Sequence, residues 1–126
     1  DLSHGRRKLV GVSRALAAKP KLILLDEPAA GLDTVESQIL GGHLREFLNH
    51  GMSVFLIDHD MGLVLSVCDY IYVLDFGKII AAGTPAQIRE SSAVKAAYLG
   101  EQAGEIQAQE GERIRTQQQE AGEING

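Results

Sequence analysis

At 126 residues with a formal net charge of −5, the chain has room for one domain at most and no large basic surface with which to track nucleic-acid phosphates. No run approaches the ~18 apolar residues of a membrane helix. A single cysteine, Cys68 in the apolar stretch VLSVC, excludes an internal disulfide and reads as a small buried hydrophobe, and no Cys/His cluster suggests zinc.

In chain order, Ser3 suits the N-cap of a helix running to about residue 18, with Leu9, Val12, Ala15 and Leu16 on one face. A strand follows over 21–26, then a loop over 28–33. The next helix spans about 34–49, with Ile39, Leu40, Leu44, Phe47 and Leu48 inward, and Gly51 ends it. Residues 53–58, SVFLID, read as a second buried strand, and a short helix covers about 61–67. YIYVLD and KIIAAG flank Phe76-Gly77 as a hairpin. Pro85 opens the first of two short helices that end near Leu99. Alternating strands and helices with a terminal hairpin predict an α/β domain with a mostly parallel sheet. Beyond Gly100 the chain is rich in Gln, Glu and Gly, and its large apolar residues are three isoleucines. Such a segment buries too little surface to offset its ordering entropy and reads as a polar, disordered tail over 101–126 with transient helix, a partner-binding helix being the alternative.

The chemistry concentrates at 22–27, LILLDE. An apolar run bounded by Lys19-Pro20 and Pro28 reads as a strand buried on both faces. Two adjacent carboxylates, Asp26 and Glu27, are costly to bury there unless a cation or a reacting group offsets them. In phosphoryl transfer, Mg²⁺ on the first acid and a water beside the second provide that offset. The bland alternative is a strand ending in a solvated acidic turn.

Three further segments join this one: LSHGR at 2–6, AGLD at 30–33 and FLIDHD at 55–60. Together they resemble the second half of the nucleotide-binding domain of ATP-binding-cassette (ABC) transporters, over residues 1–100. LSHGR is similar to the signature motif LSGGQ, with His4 in place of a Gly and Arg6 in place of a Gln. LILLDEP resembles Walker B and its following Glu, AGLD the D-loop, and His59 the switch histidine. The resemblance implies a P-loop NTPase-type α/β fold that uses ATP and Mg²⁺. Asp26 would hold Mg²⁺ through water, Glu27 would polarise the attacking water, and His59 would face the γ-phosphate. Ser3 and the N–H groups of His4 and Gly5, at a helix N-terminus, would reach the ATP of a second ATPase subunit in a head-to-tail dimer. The basic residues of this first helix would suit a triphosphate. Arg6 is open to two readings, phosphate or ribose contact and plain solvent exposure. Asp33 would couple the two active sites, a role compatible with capping the next helix.

The resemblance also implies transmembrane permease subunits, an indirectly coupled substrate-binding protein, and a peripheral position on the cytoplasmic face of the plasma membrane. A complete domain of this type needs the phosphate loop GxxxxGK[ST]. Around Gly77-Lys78, Tyr72 stands where the loop's first Gly belongs and Ile79 where Ser or Thr is required. The chain therefore reads as the C-terminal part of a longer ATPase, without Walker A and inactive alone. Residues 58–85 with AYLGE at 97–101 resemble ATPases of branched-chain amino acid importers, and AYLGE-like ends also occur in lipopolysaccharide-export ATPases. A third reading is a non-enzymatic partner domain that lends its signature and D-loop in trans.

Overall fold

The structure is a computed structural model that describes residues 3–124, the side chains of 99–106 excepted. Asp1 and Leu2, the first position of LSHGR, lie outside the described residues, as do Asn125 and Gly126. The chain divides into two compact units, Asp1–Ile71 and Tyr72–Gly126.

In the first unit, helix α1 (His4–Ala17) is followed by strand β1 (Leu22–Asp26), helix α2 (Thr34–Asn49), strand β2 (Ser53–Ile57) and helix α3 (Met61–Val67). Ser3 caps α1, its Oγ accepting the Arg6 N–H at 3.2 Å. Leu9, Val12 and Leu16 pack inward as the periodicity requires, whereas Ala15 is exposed. α2 is the crossover between β1 and β2, which pair in parallel from Leu22↔Ser53 to Asp26↔Ile57. This is the connection that a parallel pair demands. Leu40 and Leu44 are fully buried and form the core with Ala29, Leu63 and Val67. Ile39, expected inward, is 44% exposed.

The strands depart from expectation. Leu25, Val54 and Leu56 pack on the core, but Leu22, Leu24, Phe55 and Ile57 on the other side are more than half exposed. Strands written as unbroken apolar runs suit a sheet covered on both faces. Here the core gathers on one face only, so the run LILL is half satisfied.

The second unit holds most of strand β3 (Ile71–Asp75), strand β4 (Lys78–Gly83), helix α4 (Pro85–Glu90) and helix α5 (Ser92–Ile124). Phe76 and Gly77 both have positive φ, 48° and 76°, the φ signature of a two-residue hairpin turn whose twist matches the strands. β3 and β4 form their own two-stranded sheet, so among the described residues parallel pairing is confined to β1 and β2. Thr84 and Gln87 form a reciprocal cap at α4. The second of the two expected short helices is instead 33 residues long, and residues 101–124 continue α5 rather than forming an irregular tail. Ala, Gln, Glu and Arg are good helix formers, and no proline follows Pro85. The expectation rested on burial: from 107 to 124 every side chain is exposed apart from a half-buried Gly111, so local propensity, not packing, carries this stretch.

Candidate functional site

The parallel register brings the ends of β1 and β2 side by side. Asp26 lies opposite Ile57, and the next residues, Glu27 on one strand and Asp58-His59 on the other, emerge together. The Glu27 N–H extends the ladder by donating to Ile57 O at 2.6 Å. Glu27 then turns left-handed, with φ 49°. A non-glycine residue in this conformation is strained and persists only where its surroundings over-determine it. The Glu27 carbonyl accepts the Ala30 N–H at 3.1 Å, closing a tight turn. Lys8 Nζ, from α1, donates to Glu27 O at 3.2 Å and Ala30 O at 2.6 Å.

On the neighbouring strand, the Asp58 carboxylate is fully buried, accepting the Ala29 N–H at 2.9 Å and the Asp60 N–H at 3.0 Å. It thereby joins the turn after β1 to the loop after β2. Asp60 caps α3 through the Leu63 N–H and accepts the Ser37 hydroxyl from α2 at 2.8 Å. Between these anchors His59 is exposed, its Nδ1 lying 3.7 Å from Glu27 Oε1 and 3.9 Å from Asp58 Oδ1. Two residues drawn from separate motifs, Glu27 and His59, thus meet.

The signature-like segment meets the D-loop-like one. The His4 imidazole lies so near Gly31 that a Cβ there would stand 3.2 Å from His4 Cδ2, and Gly31 itself needs φ 79°. The space over buried Gly5 is filled by the Glu36 carboxylate, so a side chain at that position would have to displace that carboxylate. Glu36 and Asp33 form a capping box on α2: Asp33 Oδ1 accepts the Glu36 N–H at 2.7 Å, and Glu36 Oε1 accepts the Asp33 N–H at 3.2 Å. Asp33 therefore does cap a helix. Arg6 faces solvent. The Asp26 side chain is exposed and, among the described residues, its carboxylate takes no hydrogen bond or ion pair.

Sequence reasoning missed Lys8, Glu36, Asp58 and Asp60. Asp33-x-x-Glu36 is a legible capping box, and acids on both sides of His59 were visible without any sign of which was buried. Nothing in the sequence marks Lys8 apart from its basic neighbours. Cys68 is half-buried, and burial followed by the neighbouring Asp69 charge pushes its thiol up, in keeping with an inert core position.

Fold and site define an α/β domain whose candidate groups stand at the carboxyl ends of parallel strands, where such folds place their ligands. Residues 78–104 match the family model of the branched-chain amino acid ATP-binding cassette transporter. The chain is 46% identical over 101 residues to the lipopolysaccharide export system ATP-binding protein LptB of Haemophilus influenzae, covering 80% of this chain and 42% of that protein. It is 41% identical over 102 residues to the high-affinity branched-chain amino acid transport ATP-binding protein LivG of Escherichia coli, covering 80% and 40%. Among solved structures it is similar to the ADP conformation of an ATP-binding cassette of an ABC transporter, with a TM-score of 0.66 and 34% identity, covering 79% of this chain and 41% of that one. The chain belongs to the ATP-binding-cassette family and corresponds to the C-terminal part of its ATP-binding domain. It spans about two fifths of the length of the curated relatives it matches.

Proposed function

We propose that this chain is part of a transport-coupled ATPase subunit in which Glu27 and His59 act on the γ-phosphate of ATP, with the phosphate loop supplied by a longer subunit. The observation that carries the reading is the approach of His59 Nδ1 to Glu27 Oε1 across two adjacent parallel strand ends. Glu27 accepts a proton from, or orients, the attacking water, and its held backbone keeps the carboxylate at the strand end. His59 contacts the γ-phosphate from the neighbouring loop. Ser3, His4, Gly5 and Arg6 address the ATP of a second subunit, and Asp33 relates the two sites across that dimer.

Asp26 suits Mg²⁺: it is an exposed hard-oxygen donor without a protein partner, fitting an ion that keeps several waters and is held by one or two carboxylates plus substrate phosphates. When bound, the ion neutralises charge developing on the phosphates. The partners implied are permease subunits and, through them, a substrate-binding protein, with the subunit peripheral to the membrane. No helix among the described residues is long and apolar enough to cross one.

Branched-chain amino acid import is the cargo reading, supported by the family-model match at 78–104 and by LivG. Lipopolysaccharide export is the second, favoured by the identity to LptB. Uptake of labelled leucine by vesicles containing the full-length subunit and its permeases separates them. The catalytic reading is tested by Glu27→Gln in that subunit. Turnover falls by roughly 10²–10⁴-fold, the usual contribution of a positioned base, while ATP affinity is kept. Turnover within about threefold of wild type would remove Glu27 from the mechanism.

A further inference from the structure

The left-handed backbone at Glu27 raises the question of what holds it. Its N–H is fixed by β2, through Ile57 O. Its carbonyl is fixed by the Ala30 N–H from within the same turn and by Lys8 Nζ from α1, which also holds Ala30 O. Among these, Lys8 is the tie that comes from the helix opened by the signature-like segment. An ammonium group bridging two carbonyls makes charge-assisted hydrogen bonds, stronger than neutral ones. It clamps both ends of the turn at once.

We infer that Lys8 is a positioning residue for Glu27, joining the helix that carries Ser3–Arg6 to the turn that presents the catalytic carboxylate. Two chemical requirements select this residue type. The acceptors are two backbone carbonyls in one turn, so the group must donate more than one hydrogen bond and accept none, as an ammonium does. It must also reach from one element to another, which the four-carbon stem allows. Arginine meets both requirements in a different shape, and methionine fills similar space without a donor. The inference rests on the catalytic reading of Glu27.

The test uses the full-length subunit in four forms: wild type, Lys8→Met, Glu27→Gln and the double variant, with Lys8→Arg as rescue. Lys8→Met is expected to lower kcat about tenfold while the KM for ATP stays within about twofold, since loss of positioning acts on the reacting geometry rather than on uniform binding. Lys8→Arg restores most of kcat. In the Glu27→Gln background, Lys8→Met produces no further loss, because the side chain it positions no longer works as a base. A Lys8→Met kcat within about twofold of wild type overturns the inference, and so does an equal tenfold loss in both backgrounds. So does a lowered melting temperature accompanied by loss of active protein with unchanged kcat per active site, which marks a purely structural tie. Near-wild-type turnover of Glu27→Gln itself is a different failure, that of the catalytic reading, and it appears in a variant that does not touch Lys8.

Discussion

The turn after β1 and the last five turns of α5 are ordered by opposite means. Between residues 27 and 30, within one tight turn, the backbone is tied to β2 through Ile57 O, to α1 through Lys8 and to the loop after β2 through Asp58. Glu27 holds a conformation its own residue type disfavours. Residues 107–124 of α5 hold the conformation their types favour, with side chains in water and, apart from the helix ladder, only such local bonds as Thr116 Oγ1 to Glu112 O at 3.0 Å. The difference is one of what a mutation can reach. Where tertiary ties impose a strained shape, removing a single buried tie matters. Where propensity imposes a relaxed one, removing the whole segment leaves the rest alone.

The largest effect belongs to the core under the tied turn. Leu44, fully buried beside Leu40, loses both transfer free energy and packing when changed to alanine, and Leu44→Ala should destabilise the chain by about 2–5 kcal/mol in urea unfolding. Next comes Asp58→Ala, which strips two backbone N–H groups, those of Ala29 and Asp60, of their acceptor. Stranded buried donors cost about 1–3 kcal/mol, and a loss below about 0.5 kcal/mol would mean that the tied turn tolerates a missing tie as readily as α5 does. Asp33→Ala sits lower, at about 1 kcal/mol for a lost N-cap, read by the same unfolding curve. The smallest effect is in α5. Removing residues 102–126 should leave global stability within about 0.5 kcal/mol, the range of surface changes. Gly111→Ala, with nothing within 4 Å of the new Cβ, should slow amide exchange locally as helix propensity rises. A larger fall on truncation would mean that the helix docks on something.

Much of the first unit was legible because its signals are local. Ser3 before α1, Asp33 before α2, Gly51 after it, and the apolar runs of β1 and β2 each act within a few residues, and the elements lie where those signals put them. The same local reading went astray where the outcome depends on what else is present. The run LILL reads as a strand covered on both faces; in this chain, about two fifths of its relatives' length, the core covers one side and Leu22 and Leu24 are open on the other. The polar segment beyond Gly100 reads as a tail for want of burial, and the structure carries α5 through it because helix needs no burial when the residues favour it.

By itself, the sequence determined which residue types stand at each element end: Asp26 at the end of β1 and Glu27 after it, His59 after β2, Ser3 to Arg6 at the start of α1. Only the tertiary structure decided that Glu27 and His59 lie together, that Asp58 is the buried acid and Asp26 the exposed one, and that Lys8 crosses to the turn. The physical reason is range. Caps, periodicity and turn chemistry act over three or four residues and are written in the chain. The register of β1 on β2 and the packing of α1 against the turn bring together groups about 20 to 30 residues apart, and their effects exist only once the core has closed.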